Sequence, residues 1–469
     1  MKIVLLIVVP FISVNDMRNN IILSGFTMAA VSHINYGMWR DPQDQSYRYT
    51  DIEYWIGLAK LLEENGFDCL FIADALGLID SWQGSPAASL KQGIQSPLID
   101  PLLLVSAMAA QTTRLGFGIT VSTTYEQPYL LARKFTTLDH LTRGRIAWNV
   151  VTSQLESAAR NLGLEKQMDH DERYERADEF LTVSYTLWQH SWERAALKRD
   201  KKEGLYTDPR KVHPTGHRGR WFTVPDAHLS EPSPQRTPVI FQAGGSPRGI
   251  DFAARHAEVV FVAGLDASGV RRQVAAIKSR AAAFGRSPGA IKFISAVTVI
   301  TAETEREAQQ RFAERRARYD LQGALIHYGA STGVDLSGHS LDAPLAWQQT
   351  NSNRSLLKMV TGEAGQPERT LREVFHPEQG LGRQKTFVGS GSSVAGQLAQ
   401  WLQESDTDGI NLAQWFSPGC FEDFARWVIP ELKHLGLSGN PTEPLTLRQR
   451  LFPEGGAEPA ADHPSQHNG

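Results

Sequence analysis

The chain has few cysteines and no excess of either charge. Cys69 and Cys420 are the only cysteines among 469 residues, too few for a disulfide framework or a four-sulfur metal site. The 48 basic residues stand against 51 acidic ones, for a formal net charge of −3, whereas a nucleic-acid-binding face needs a basic excess. We therefore expect two unpaired thiols in a reducing, cytoplasmic compartment and no nucleic-acid partner.

The chain also lacks a long apolar run. Residues 1–14 are mostly apolar, but they are too short to span a bilayer and are interrupted by Pro10. No small-residue cleavage site follows them. Because Met17 offers a second plausible start, we expect 1–16 to be either an N-terminal extension or the result of a mis-called start codon, and we expect no membrane association. Residues 453–469 are polar and rich in Pro, Gly and Ala, and we predict that they are disordered.

Motifs of several enzyme classes are missing. No His-x-His or clustered Asp/Glu pattern suggests a metal site. The one Gly-x-Ser-x-Gly string, at 329–333, follows no predicted strand, which leaves little support for a Ser-His-Asp mechanism. With 41% hydrophobic and 21% charged residues, the composition is that of an ordinary globular protein with ample material for a core.

Short apolar, β-branched runs alternate with segments of helical periodicity along the chain. The predicted strands are 21–28, 69–75, 114–122, 145–153, 238–243, 258–263, 291–300 and 409–416. The predicted helices are 51–65, 101–111, 128–141, 172–188, 248–256, 269–284, 304–319 and 394–404, with a further one within 421–435. Eight strands in this alternation predict an α/β fold, a (β/α)8 TIM barrel.

A doubly wound open sheet is the alternative architecture. It calls for a glycine-rich phosphate loop after the first strand, and residues 29–37 (AAVSHINYG) do not supply one. We expect a single barrel domain over 17–452. A plain barrel needs about 250 residues, and we expect the surplus as long insertions, mainly on the face formed by the carboxyl ends of the strands. The insertions lie near 76–100, 154–170, 189–237 and 321–390, the last long enough for a lid or subdomain.

Two segments have the residue types of an anion site. The turn 244–249 (GGSPRG) joins a strand to a helix; its glycines, including Gly245, permit close backbone approach, and Ser246 adds a hydroxyl at the helix start. His170 and Tyr174 lie four residues apart near the start of another helix and share a face. The alternatives are a tight turn that needs positive φ and a solvated, salt-bridged helix face.

Other polar residues stand at strand ends, the face that carries the chemistry in TIM barrels. Asp74 follows the second strand and could bind a sugar or ribityl hydroxyl, with a helix N-cap or an ion pair as the alternative. His33, just past the first strand, and His327, in the long insertion, are either catalytic or hydrogen-bonded structural histidines. Neutral donors and acceptors at further strand ends are Thr120, Asn149 and Ser153. These residues indicate a phosphorylated cofactor without naming a reaction.

Five segments carry a resemblance to a known family. They are 67–77 (FDCLFIADALG), 115–153 (LGFGITVSTTYEQPYLLARKFTTLDHLTRGRIAWNVVTS), 169–180 (DHDERYERADEF), 231–249 (EPSPQRTPVIFQAGGSPRG) and 445–452 (LTLRQRLF). They resemble the flavin-dependent, two-component monooxygenases of the bacterial-luciferase-like superfamily, above all the nitrilotriacetate and dibenzothiophene-sulfone monooxygenase family. Within it, residues 31–42 and 197–222 are similar to the dimethyl-sulfide monooxygenases. The resemblance covers nearly the whole chain from about residue 17.

The resemblance implies a cofactor, a partner and a reaction. Reduced FMN (FMNH2) is the co-substrate and is delivered by a separate NAD(P)H:flavin reductase. O2 adds to the flavin at C4a, and the resulting (hydro)peroxide oxygenates a small organic compound, with organosulfur compounds among the substrates of the family. Members form dimers or tetramers, so we expect a homodimer or homotetramer.

The resemblance also assigns residues by position. Contacts to the isoalloxazine and ribityl portions of FMN fall on Asp74, Thr120 and Asn149. Contacts to the phosphate fall on Ser153, His170, Tyr174, Gly245 and Ser246. His33 matches a histidine that faces the substrate side of the flavin, and His327 is the second catalytic candidate.

Two other functions remain open on the same barrel. One is a non-catalytic FMN-binding protein, which would not need the long insertion at 321–390. The other is a deazaflavin-dependent dehydrogenase, which would transfer hydride without consuming oxygen.

Overall fold

The structure, a computed structural model, describes residues 20–347, 350–353, 356–357, 361, 370–375, 384–438 and 444–467. The expected extension 1–16 therefore lies outside the described residues. The strands are β1 (Ile22–Met28), β2 (Cys69–Ala73), β3 (Gly116–Ser122), β4 (Ile146–Val151), β5 (Leu197–Asp200), β6 (Leu205–Thr207), β7 (His217–Arg218), β8 (Thr223–Val224), β9 (Val239–Gln242), β10 (Val259–Val262), β11 (Lys292–Ala302), β12 (Lys385–Ser390) and β13 (Gly409–Ala413). The helices are α1 (Ile52–Glu64), α2 (Ala87–Gln92), α3 (Val105–Ala110), α4 (Pro128–Leu141), α5 (Glu156–Asn161), α6 (His170–Tyr185), α7 (Pro247–His256), α8 (Ala267–Ala283), α9 (Glu305–Arg316), α10 (Leu321–Thr332), α11 (Leu371–Val374), α12 (Gly391–Ser405), α13 (Gly419–Asp423), α14 (Ile429–His434) and α15 (Leu447–Leu451).

Eight of these strands form a closed parallel barrel. Their order around it is β1, β2, β3, β4, β9, β10, β11 and β13, and β13 pairs with β1 to close the ring. Because all eight are strands predicted from the sequence, the (β/α)8 fold is confirmed. Parallel closure places the carboxyl ends of neighbouring strands side by side, so that Thr120 of β3 lies opposite Asn149 of β4.

A further parallel strand, β12, was not predicted. It pairs with residues 297–302, the carboxyl half of β11, whose amino half pairs with β10 and β13. With 11 residues, β11 is long enough to pair with β10 and β13 along its amino half and with β12 along its carboxyl half. The segment of β12 falls within 321–390, which the sequence analysis treated as one insertion.

The barrel strands are buried on both faces, as parallel strands covered by helices must be. β2 (CLFIA) and β10 (VVFV) are apolar throughout. Inside the barrel, the Phe71 ring stacks between Phe26 and Phe261, with ring centroids 5.0 and 4.3 Å away. Leu447 and Leu451 of α15 join the same apolar cluster and close the amino-terminal end of the barrel.

The outer helices begin at caps that the sequence supplies. At the start of α1, Asp51 Oδ1 accepts a hydrogen bond from the Glu53 N–H (2.9 Å). At the start of α9, Thr304 and Glu307 form a reciprocal capping box. The apolar positions of α1 then face the barrel, with Trp55 fully buried.

The insertions add structure outside the barrel strands. β5 pairs with β6 and β7 with β8 as two antiparallel hairpins within 189–237. In the described part of 321–390, α10 is buried from Gly323 to Thr332. One side of this helix packs in an apolar cluster with Tyr36 and Ile79, and another side packs with Leu336 and Leu371. A helix this deeply buried forms a fixed wall of the molecule.

The C-terminal tail is folded as far as residue 467, which corrects the predicted disorder of 453–469 for the described part of that segment. Residues Pro464–Gln466 form a 3-10 turn, and His463 is 1% exposed. The His463 Nε2–H donates to the His256 carbonyl (2.9 Å), and Glu458 pairs with Arg194 (2.6 Å). These individual contacts hold a segment whose polar composition alone indicated disorder.

Within the described ranges, no helix is both long and apolar enough to cross a membrane. The same residues contain no group of three His, Cys, Asp or Glu side chains that could hold a metal ion. Cys69 and Cys420 are both buried, and neither is in a disulfide.

Candidate functional site

A cleft of about 260 Å³ opens at the carboxyl ends of the barrel strands. Its walls come from the residues that follow β2, β4 and β9, from the start of α6 and from α10. Seven of the predicted site residues line it: Asp74, Ser153, His170, Tyr174, Gly245, Ser246 and His327. Folding therefore gathers side chains from widely separated parts of the sequence into one cleft.

One end of the cleft is formed by the first turns of α6 and α7. Ser246 caps α7, and its Oγ accepts a hydrogen bond from the Gly249 N–H (3.0 Å). His170, the first residue of α6, places Nε2 3.5 Å from Ser246 Oγ, while its Nδ1 faces Asp171 Oδ1 (2.6 Å). The Tyr174 ring lies 5.3 Å from the His170 ring, and its hydroxyl contacts Ser246. Two helix N-termini and three polar side chains converge here, which suits a phosphate group.

Close packing explains the glycines of the turn 244–249. A Cβ at Gly249 would lie 3.0 Å from Tyr174 Oη and 3.1 Å from Ser246 Oγ. A Cβ at Gly244 would lie 2.6 Å from Gln242 Nε2. Neither glycine has a positive φ, so close approach of the backbone, rather than a left-handed turn, explains why glycine stands at these two positions.

We call the group formed by His170, Tyr174 and Ser246 the phosphate end.

Two lining residues other than glycine adopt left-handed backbone conformations. Ser153 has φ 54° and Gln95 has φ 52°, at a cost of about 1 kcal/mol or more for a residue with a side chain. Ser153 Oγ donates to Ser122 Oγ (2.8 Å), so its side chain is held at the end of β4. Backbone strain of this kind clusters at functional sites.

Arg173 is a cleft residue that the sequence analysis missed. It lines the cleft and is 1% exposed. Its two Nη groups donate to the carbonyls of Met168 and Asn351, each at 2.6 Å, and Asn351 belongs to the long insertion. A signal was present, because Arg173 follows His170 by three residues and therefore shares its helix face. In the highly charged run 169–180, however, it was indistinguishable from a solvated arginine.

Two buried amide side chains belong to this region: Gln242 lines the cleft, and Asn149 lies next to the lining residue Val150. Asn149 Nδ2 donates to Thr120 Oγ1 (2.9 Å), and the neighbouring Val150 lines the cleft. Among the described residues, Asn149 Oδ1 and Gln242 Oε1 are buried acceptors without a hydrogen-bond partner. Unpartnered buried acceptors are costly, and hydroxyl donors of a bound ligand would satisfy them.

Asp74 lines the cleft just after β2. Burial raises the pKa of its carboxyl to about 7, and the Asp100 carboxylate adds to the rise, while the Ala75 N–H opposes it. Among the described residues Asp74 forms no ion pair, which removes one of the two structural alternatives. At neutral pH the group is partly protonated, so it can donate as well as accept a hydrogen bond.

The two candidate histidines lie close together. Their ring centroids are 6.0 Å apart, and the His33 ring meets the Phe26 ring edge-on at 4.9 Å. His327 lies between Tyr36 Oη, 2.9 Å from Nδ1, and Gln95 Nε2, 2.9 Å from Nε2. With the Gln95 amide donating to Nε2, the neutral ring donates from Nδ1 to Tyr36. His327 lines the cleft, whereas His33 is not one of its lining residues.

The polar groups of the cleft fit a phosphorylated flavin. The phosphate end provides helix N-termini for a dianion, and Asn149 and Gln242 offer acceptors to ribityl hydroxyls. Asp74 and Gln95 provide further hydrogen-bonding groups along the wall. The fold is a TIM barrel, and the cleft at its strand ends has polar groups that suit a phosphate-bearing cofactor.

Comparison with known proteins identifies the family. Residues 35–408 match the family model described as luciferase-like monooxygenase. The chain is 43% identical over 449 residues to the dimethyl-sulfide monooxygenase of Hyphomicrobium sulfonivorans, covering 96% of this chain and 94% of that protein. It is 44% identical over 447 residues to the long-chain alkane monooxygenase of Geobacillus thermodenitrificans, covering 95% and 97%. The chain therefore belongs to the luciferase-like monooxygenase family.

A solved structure agrees with this assignment. The crystal structure of a riboflavin lyase with modified FMN and riboflavin has a TM-score of 0.89 to this chain at 35% identity, covering 95% of this chain and 99% of the other. The predicted family, fold and monooxygenase class are thus confirmed. The roles of single residues stay predictions.

Proposed function

We propose that the chain is the oxygenase component of a two-component system, which uses FMNH2 and O2 to oxygenate a small organosulfur compound. The observation that carries the proposal is the phosphate end, where His170, Tyr174 and Ser246 meet at the mouth of a barrel of this family. The phosphate end would hold FMNH2, which would supply the electrons for O2 activation and for the transfer of one oxygen atom to the substrate.

The residues of the chain divide the work of holding the cofactor. The phosphate end holds the dianion with two helix N-termini and the side chains named above. Ser153 and Gly245 lie in the same wall of the cleft. Asn149, which is bonded to Thr120, accepts from a ribityl hydroxyl through its unpartnered Oδ1.

Exclusion of water is the second task, since the oxygen chemistry supplied by reduced FMN would yield hydrogen peroxide in a wet site. The buried helix α10 forms one wall. Residues 350–353 lie over the start of α6, where Arg173 donates to the Asn351 carbonyl and Asn351 Nδ2 donates to Asp169 Oδ1 (3.1 Å). The Asn353 N–H completes the attachment with a bond to the Ser331 carbonyl (2.9 Å).

Proton supply is the third task, because the second oxygen atom leaves as water. Asp74 holds a proton over much of the neutral range, since burial raises its pKa to about 7. His327 is held in one orientation by Tyr36 and Gln95, and His33 stands next to it. We assign Asp74 to the flavin side of the cleft and the two histidines to the substrate side.

We infer that the reduced cofactor comes from a partner, an NAD(P)H:flavin reductase, since one relative is named as component A of nitrilotriacetate monooxygenase. Buried free thiols at Cys69 and Cys420 suit the cytoplasm, where such a reductase would operate. We further propose a homodimer or homotetramer.

The choice of an organosulfur substrate rests on relatives of similar identity. One is named for dimethyl sulfide and another for long-chain alkanes. Gln95 and His327 line the cleft, and Tyr36 and His33 lie next to His327. These polar groups favour a small polarisable substrate over a long alkyl chain, which would leave Gln95 and His327 in contact with hydrocarbon.

The test is oxygen uptake in the presence of FMN, NADH and a generic flavin reductase. Dimethyl sulfide, a dialkyl sulfone and a long-chain alkane are compared, and products are identified by mass spectrometry with 18O2. Catalase and a reaction without the chain correct for hydrogen peroxide formed by free FMNH2. We expect one labelled oxygen atom in the product from the sulfide.

Each other result points elsewhere. Labelled product from the alkane alone keeps the enzyme class and refutes the organosulfur substrate. Tight binding of FMN with no product from any compound favours the non-catalytic flavin-binding function. Hydride transfer to or from a deazaflavin without oxygen uptake favours the dehydrogenase.

A further inference from the structure

Three residues form a stripe along the face of α6 that meets α7. His170, Tyr174 and Asp178 are spaced by four, so they lie one above the other on the helix. The first two belong to the phosphate end. Asp178 lies one turn further from the cleft and does not line it, so its role must be exerted through other residues.

Asp178 binds both ends of α7. Its Oδ2 forms a salt bridge with Arg248, in the first turn of that helix, and accepts a hydrogen bond from Arg248 Nη2. Its Oδ1 accepts from His256 Nε2, the last residue of the same helix, at 2.9 Å. One carboxylate is therefore bonded to side chains from both the first and the last turn of the ten-residue helix α7. A helix tied at both ends to one point on its neighbour has little freedom to slide or rotate.

The protonation states of this pair are defined by their surroundings. Burial alone would raise the pKa of Asp178, but the bonds from His256 and Arg248 bring it below its ordinary value, so the carboxylate is charged. Burial lowers the pKa of His256, against the opposing effect of Asp178, so the ring is neutral at neutral pH. Its Nε2–H donates to Asp178, and its Nδ1 accepts from the Tyr185 hydroxyl (3.3 Å).

The attachment is continuous with the phosphate end. The Arg248 guanidinium lies over the Tyr174 ring, 5.6 Å from its centroid. Phe252 packs between Tyr174 and His256, with ring centroids 5.4 and 4.8 Å away. The position of α7 on Asp178 thus sets where Ser246, at the start of α7, stands against α6.

We propose that Asp178 is a positioning residue for the cofactor phosphate: it fixes α7 on α6 so that Ser246, His170 and Tyr174 meet around one anion. The inference rests on the proposed function, since it assumes that the anion is the phosphate of FMN. It also explains why Arg248 is directed at Asp178 and the Tyr174 ring rather than into the cleft.

The test compares two ligands that differ only in the phosphate. Dissociation constants for photoreduced FMN and photoreduced riboflavin are measured anaerobically by calorimetric titration of the full chain. The variant is Asp178→Asn. The matched control is Glu175→Gln, which removes the same charge from α6 at an exposed carboxylate paired with Arg220 (3.0 Å).

We expect Asp178→Asn to weaken FMN binding about tenfold, because the loss of charged hydrogen bonds lets α7 shift. Riboflavin binding should change less than about twofold, and Glu175→Gln should alter neither ligand. A second variant, His256→Phe, removes the far attachment without changing the charge. Like Asp178→Asn, it should lower the preference for FMN over riboflavin. This second variant keeps the test valid if Asp178→Asn folds poorly.

Several results would overturn the inference. If Asp178 only neutralises Arg248, its replacement frees a cation near the phosphate, and FMN binds more tightly. If Asp178 only supports the fold, FMN and riboflavin weaken equally. A wild-type chain that prefers FMN, with variants that keep the full preference, removes the inference and leaves the proposed function intact. A wild-type chain that binds both flavins equally removes the phosphate site itself, and with it both proposals.

Discussion

Replacing Asp74 by asparagine should stabilise the protein, and the gain should grow as the pH rises. Burial, with a contribution from Asp100, raises the pKa of the Asp74 carboxyl from 3.8 to about 7. Between these values the folded state binds a proton that the unfolded state has released, so stability falls with rising pH and levels off above about 7. Asparagine cannot ionise, and Asp74→Asn therefore removes this loss.

The magnitude follows from the same values. A pKa raised from 3.8 to about 7 corresponds to about 4 kcal/mol, at about 1.36 kcal/mol for each pKa unit. Part of that loss is already present at pH 5, and water in the cleft reduces the remainder. We expect the advantage of Asp74→Asn to grow by about 2 kcal/mol between pH 5 and pH 8.

The assay is urea unfolding followed by tryptophan fluorescence, without flavin, at several pH values from 5 to 8. The chain has 11 tryptophans, which give an adequate signal. Asp226→Asn serves as the control, because Asp226 is exposed and its replacement removes the same charge. A gain that is equal at all pH values, or one that Asp226→Asn reproduces, would refute burial of the Asp74 carboxyl as the cause.

Three further predictions concern other parts of the molecule. Ser246→Ala should weaken FMN binding about tenfold but not riboflavin binding. The control is Ser390→Ala, which removes an N-cap outside the cleft and should cost only about 1 kcal/mol of stability in urea unfolding. Arg448→Ala should cost about 3–5 kcal/mol in urea unfolding, because it leaves Glu258, paired at 2.6 Å, charged and buried; a loss below 1 kcal/mol would contradict this. Truncation after Phe452 should lower the melting temperature by a few degrees, and an unchanged melting temperature would show that the tail contributes nothing.

The helices and strands that were predicted well are those in which the positions of the apolar residues in the sequence match the positions that are buried in the fold. Helix 128–141 coincides with α4, and the strand predicted at 409–416 contains β13. The buried residues of α4 recur at the helical period, whereas β13 is a short run that is buried throughout, as expected for a strand of a parallel barrel. The tail was predicted wrongly because composition records the average polarity of a segment, whereas single contacts such as His463 to His256 hold it in place.

Within the site, the sequence was sufficient to recognise the glycine-rich turn and the polar residues at strand ends, but not the hydrogen-bond partners of these residues. The turn 244–249 and the pair His170 and Tyr174 were recognisable by residue type and spacing. Arg173 was missed, because a buried and a solvated arginine have the same local pattern until a distant segment, here Asn351, accepts its hydrogen bond.

Local periodicity and residue type were thus sufficient for eight strands, their helices and the residue types at the strand ends. The pKa of Asp74, the meeting of α6 with α7 at Asp178, and the enclosure of His327 between Tyr36 and Gln95 arose only on folding. The physical reason is that burial and hydrogen bonding depend on distances between segments far apart in the chain, which neither composition nor spacing records.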